Sequence, residues 1–136
     1  MKIAVIKKFC ASLPGVESEI KWQVDLVYMI GGKMFAVIFE GEGKSYVTLK
    51  VDDSRFLEYT DRAGFAPAPY LARAKWVQLN DLGKVSDAET KELITRSYEL
   101  IAAKLTRKLR AQLGIALKRL APGSTQFRDF LQPAPA

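Results

Sequence analysis

The 136-residue chain has no histidine and a single cysteine, Cys10. Without histidine there is no Ser-His-Asp or Cys-His activation of a nucleophile and no His-ligated zinc or haem, and the commonest general base is missing. One thiol excludes an intramolecular disulfide and any site built from several thiolates. Cys10 reads instead as a small buried hydrophobe on the first helix. No carboxylate pair stands at a recognisable catalytic spacing. The expectation is a non-enzymatic protein with no cofactor, no catalytic residue and no metal site. Long apolar runs are also absent, and none approaches the ~20 residues of a membrane span. Ile3–Ile6, beside Lys2, Lys7 and Lys8, is too short for a signal-peptide core. The reading is a cytoplasmic protein with no membrane partner.

Carboxylates are scarce in one segment. Between Lys91 and Arg119 stand eight cations against only Glu92 and Glu99, which accounts for the whole net charge of +6. The rest of the chain is neutral, and a basic segment beside a neutral body suits an anionic partner such as nucleic acid. A content of 49% hydrophobic and 26% charged residues is that of an ordinary globular domain rather than a disordered chain. We place one domain over residues 1–119 and an irregular tail over 120–136, where Pro122, Gly123, Pro133 and Pro135 fall.

Apolar residues at Ile3, Ile6 and Cys10 predict a first helix over Ile3–Ser12, stopped by Leu13-Pro14-Gly15. Val16–Trp22 reads as a linker. Three strands follow at Val24–Ile30, Lys33–Glu40 and Tyr46–Val51, joined by turns at Gly31-Gly32 and at residues 41–44. The almost wholly apolar second strand is expected at the centre. In the third, Val47, Leu49 and Val51 point inward, and Tyr46, Thr48 and Lys50 outward. Asp52 or Asp53 is expected to cap a helix to about Arg62, with Phe56, Leu57 and Tyr59 facing in and Gly64 as its stop. Ser86 and Glu89 form a capping box that opens the longest helix. Leu93, Ile94, Ser97, Ile101 and Leu105 mark its buried stripe, and a break is expected near Thr106.

Between these helices lies Gly64–Leu79, with Pro67, Pro69, Phe65, Tyr70, Arg73, Lys75 and Trp76. The prolines predict a stiff, non-helical lead-in to a fourth strand at about Lys75–Leu79. Arg73 and Lys75 are expected to project to one face of it, with Trp76 in the core. The order α-β-β-β-α-β-α is that of an α+β fold in two layers, an antiparallel sheet with helices packed on one face.

Five blocks carry a family resemblance. They are Leu13-Pro14-Gly15-Val16-Glu17; Ile20-Lys21-Trp22; Gly31 through Ala36; Gly64-Phe65 with Pro67-Ala68-Pro69-Tyr70-Leu71-Ala72-Arg73 and Trp76-Val77; and Ser97-Tyr98-Glu99-Leu100 with Ala102-Ala103-Lys104-Leu105. In this order they resemble the MmcQ/YjbR family, from about Cys10 to Leu113. The resemblance implies a frataxin/CyaY-like fold and DNA binding through a double wing of β-hairpins. Thr106 departs from the family, which often has proline there, and the tail after Gly114 is an addition. Frataxin-like iron handling needs an acidic ridge. The first helix here carries lysines and no carboxylate, so iron is not expected.

Gly41, Gly43, Lys44 and Ser45 superficially echo a phosphate-binding loop. Ile38 stands where the first glycine belongs, and a strand rather than a helix is expected to follow. The leading reading is DNA binding with little sequence specificity, mainly through phosphate. Lys33 and Lys44 at the hairpin tips, Arg73 and Lys75, and Lys104, Arg107, Lys108 and Arg110 in the last helical segment would make the contacts. The alternative is a protein- or small-molecule-binding module on the sheet face, with an apolar pocket near Tyr70 and Trp76.

Overall fold

The computed structural model describes residues 1–21, 25–41 and 43–115. Trp22, Val24 and the whole tail expected from residue 120 lie outside these. Helix α1 spans Ile3–Ser12, followed by strands β1 (Val16–Lys21), β2 (Asp25–Ile30), β3 (Lys33–Gly41) and β4 (Lys44–Lys50). A 3-10 turn at Asp53–Arg55 leads into helix α2 (Phe56–Thr60). Strands β5 (Phe65–Pro67) and β6 (Trp76–Leu79) follow, then helices α3 (Asp87–Ala102) and α4 (Arg107–Gln112). The α+β expectation holds, with helices on one face of a single sheet ordered β1-β2-β3-β4-β6-β5, every neighbouring pair antiparallel.

The sheet has two strands more than expected. Val16–Trp22, read as a linker, forms edge strand β1 paired with β2 from Val16↔Ile30 to Lys21↔Asp25. Its Glu17 and Glu19 are poor strand formers, and the exposed edge they occupy tolerates charge and discourages further pairing. The proline-rich lead-in supplies β5, a three-residue edge strand where prolines are admitted.

Cross-strand register fixes the faces. Ile38, Val47 and Leu79 are opposite one another, as are Ala36, Leu49 and Val77, and all six are buried against the helices. Helix α3 lies across β2, β3 and β4, α1 packs on β1 and α3, and α2 covers β5 and β6. Cys10 and Trp76 are in the core, as expected, whereas Leu57 is 78% exposed and not inward. Val37, Thr48 and Gln78 form a row on the face away from the helices.

A register shift in β3, next to Tyr28 and Met29, leaves Phe35 as the extra residue of a β-bulge. Its side chain enters the helix layer and meets Tyr98 edge-on, ring centres 5.3 Å apart. Its carbonyl accepts from Ser97 Oγ at 2.6 Å, and the same hydroxyl accepts from Lys50 N–H at 3.0 Å. Tyr98 donates its hydroxyl to the Pro14 carbonyl, and Arg96 donates from Nη2 to Asp52 at 2.8 Å and from Nη1 to the fully buried Glu99. Asp52 therefore makes no capping bond; its carboxylate is held by α3. Ser86 does cap α3, accepting from Glu89 N–H at 3.1 Å. The Glu89 carboxylate turns to Arg62 instead of reaching back.

Two predictions follow from this packing. Ser97→Ala leaves a buried carbonyl and a backbone N–H without their partner, and should cost about 2–3 kcal/mol. Urea unfolding checks it, and an unchanged midpoint would contradict the role given to Ser97. The second concerns alkali. Burial pushes the Cys10 thiol up to about 12 and raises the Tyr98 phenol above its ordinary range. Both groups are held protonated when folded, so the native state keeps protons that the unfolded chain releases. Stability present below the unfolded thiol's pKa of 9.0 is then lost as pH rises toward about 12. Urea midpoints at about pH 8 and about pH 11 should fall at the higher value. Cys10→Ala should soften the fall.

Candidate nucleic-acid interface

The β2–β3 turn and the α3–α4 junction meet at one end of the molecule. Gly31 adopts φ +58°, and a Cβ there would lie 2.7 Å from Leu105 and 3.2 Å from Leu109, so only glycine lets the two elements close up. Lys33, the residue that closes this turn, is exposed at its side. Thr106 caps α4 by accepting from Leu109 N–H at 3.1 Å, the break expected near Thr106. That cap leaves Lys104, Arg107 and Lys108 exposed, and none of them forms an ion pair among the described residues. Residues 100–115 contain no carboxylate.

Lys50 joins this end from the sheet. Because Ser97 holds its backbone N–H, the end of β4 lies beneath α3, and the ammonium donates to the Ala74 carbonyl. Its pKa is lowered, first by burial and then by the positive charge of Lys104, with a smaller contribution from Lys75. Asp53 and Asp52 act in the opposite direction. Lys50 thus feels like charge from the α3–α4 junction and, more weakly, from the turn before β6. An anion placed among these cations would relieve that repulsion.

The predicted residues do not all come together. Arg73 and Lys75 are not on a strand. Arg73 is exposed in a 3-10 turn over Ala72–Ala74, and Lys75 ends that turn at φ +64°, with its ammonium 5.1 Å from the Phe56 ring centre. The strand pattern failed here because the hydrogen bond from Lys75 N–H to the Ala72 carbonyl at 3.0 Å closes a turn before the β6 pairing begins. Arg110 points inward and donates to the Leu105 carbonyl at 2.8 Å and to Ala102 and Ala103 at longer range, capping the carbonyls that end α3. Lys44 stands at the far turn of β3. Nine residues of strand place it about 26 Å from Lys33, at ~3.3 Å per residue. Nearby, Glu40 holds Lys7 in an ion pair.

A second feature lies on the sheet face away from the helices. The loop between β5 and β6 folds over that face. Ala68 N–H donates to the Trp76 carbonyl at 3.1 Å, and Trp76 N–H donates to Leu71 at 3.3 Å. The loop walls a cavity of about 590 Å3 floored by Val37, Phe39, Tyr46, Thr48 and Gln78, with Asp25 of β2 also lining it. Phe39 and Tyr46 stack at 5.5 Å with planes 18° apart. Tyr70, on the loop wall, is fully exposed and held at φ +65°, a conformation costly for a residue with a Cβ. The alternation of β4 pointed to Tyr46, Thr48 and Lys50 as outward residues. It carried no signal that Pro69–Leu71 would return over them. Trp76 is buried and does not line the cavity.

A chain with this fold and these five blocks is a YjbR protein. The YjbR family model matches residues 11–100, and the chain belongs to that family. Its structure is similar to the crystal structure of a Deinococcus radiodurans protein with a DUF419 domain. That match has a TM-score of 0.77 and 26% identity, covering 90% of this chain and 94% of the other. It is also similar in fold to a Pseudomonas syringae protein, with a TM-score of 0.64 and 15% identity, covering 74% of this chain and 99% of the other. No curated protein matches the sequence. Among the described residues, no helix is long and apolar enough to cross a membrane.

Proposed function

We propose that the protein binds DNA through the phosphate backbone, at the end formed by the β2–β3 turn, the end of β4 and the α3–α4 junction. The observation that carries this reading is the exposed, unpaired run of Lys104, Arg107 and Lys108 beside Lys33, with no ion pair to any of the three among the described residues, and with Lys50 close enough to feel the charge of Lys104. A folded chain that gathers like charge in this way stabilises a polyanion lying across it. Lys75 and Arg73 extend the surface. Arg110 supports it from behind by holding the end of α3. Lys44, about 26 Å away along β3, lies outside the contact. The surface is built from lysines and arginines drawn to phosphate, so the expected binding is weakly sequence-specific.

Fluorescence anisotropy with a random-sequence duplex at two salt concentrations tests the proposal. Affinity should fall steeply with salt, log K against log salt sloping by about −0.9 for each phosphate neutralised. Lys104→Ala should weaken binding and flatten the slope by about 0.9, whereas Lys44→Ala should leave it unchanged. No binding at low salt removes the reading, and salt-insensitive binding removes the phosphate mechanism.

A further inference from the structure

The cavity on the open sheet face has the chemistry of a nucleobase site. We infer that it receives one unpaired base from a strand whose phosphates lie on the lysines at the end of β4, an inference that rests on the phosphate-binding reading above. The cavity, about 590 Å3, is roomy for a planar heterocycle. Its floor and wall present aromatic rings, the stacked Phe39–Tyr46 pair and the exposed Tyr70. Base–aromatic stacking works for any base, because every base has a π-face. Two polar side chains line it as well. Asp25 can accept from an exocyclic amine, and the Gln78 amide both donates and accepts.

The cavity lies on the same strand, β4, that ends at Lys50. Thr48 lines it two residues from Lys50 on the same face of β4, about 7 Å at strand spacing, and Tyr46 of the aromatic pair lies about 13 Å from Lys50, a reach of about two nucleotides. The lysine that feels the charges of Lys104 and Lys75 is therefore on the strand that floors the cavity. A strand lying on those cations can swing a base into the aromatic site only if that base is free of its partner. A paired duplex cannot do so without the cost of unstacking. The strained, fully exposed Tyr70 has no packing role that explains its position. As the outer face of a stack it gains one.

The test compares two duplexes of the same length at low salt, one fully paired and one with a single central unpaired base, against the wild-type protein and Tyr70→Ala. The inference expects the wild-type protein to hold the unpaired-base duplex about tenfold tighter than the paired one, consistent with one stacked base. Tyr70→Ala should abolish that preference and leave the paired duplex unaffected. Equal, salt-dependent affinity for both duplexes in the wild-type protein overturns the base site and leaves the phosphate surface standing. Absence of binding to either overturns both. Gln78→Ala provides a second check where Tyr70→Ala alters folding. It should lower the preference with the paired-duplex affinity intact, and an unchanged preference contradicts the assignment of the polar lining.

Discussion

The Ser97 hydroxyl joins the two layers of this protein. It donates to the carbonyl of Phe35, the extra residue of the β3 bulge, and accepts from the backbone N–H of Lys50 at the end of β4. A bulge leaves a backbone group without its ladder partner, and a buried group in that state is costly. Here the helix supplies the missing bond. The neighbours of Ser97 reinforce the joint. Arg96 reaches Asp52 just beyond β4, and Tyr98 reaches the Pro14 carbonyl between α1 and β1. Four consecutive residues of α3, including the buried Glu99, thereby hold the sheet, the first helix and the segment after β4 in one arrangement. The Arg96–Asp52–Glu99 cluster buries one cation with two carboxylates, so it is better understood as fixing geometry than as a source of net stability.

That joint also decides where charge collects. Once Ser97 is fixed over Lys50 N–H, α3 runs on to Ala102 and delivers Lys104 just beyond it, and the Lys50 ammonium comes within the field of both Lys104 and Lys75. The close approach at Gly31 brings the β2–β3 turn, and Lys33 with it, to the same end. The basic surface is thus a consequence of packing rather than of the local run of lysines and arginines. Arg110 makes the distinction clear, because it belongs to the run and yet serves the α3 carbonyls. The opposite face is left open by helices that all lie on one side. There the β5–β6 loop turns an otherwise flat strand surface into a cavity floored in part by Thr48, two residues from Lys50.

Much of the architecture was legible in the sequence because it rests on local signals. The first helix, the Gly31-Gly32 turn, the capping Ser86 and Thr106, and the buried stripe from Leu93 to Leu105 follow from periodicity and capping chemistry. What escaped depends on partners distant in the chain. Glu17 and Glu19 enter a strand because β2 offers an edge. Asp52 forgoes a cap because Arg96, 44 residues away, binds it more strongly. For the interface, the lysines and arginines were visible as candidates, but their grouping was not. Sequence placed Lys33 and Lys44 as equivalent tips, and the antiparallel ladder sets them at opposite ends. Outward Tyr46, Thr48 and Lys50 were visible as a stripe. Its wall at Pro69–Leu71 came from a loop whose closure no pattern announces.

The central claim is that packing gathers one phosphate-binding end from β4, the turn before β6, the β2–β3 turn and the α3–α4 junction. Amide chemical-shift mapping during titration of the 15N-labelled protein with a random-sequence duplex tests it most directly. The account predicts perturbations at Lys33, Lys50, Lys75 and residues 104–108, moving together with one affinity and vanishing at high salt, with the turn at Lys44 unmoved. Perturbations centred on Lys44, or on the edge strand at residues 16–21 with Lys50 and Lys104 silent, would contradict it.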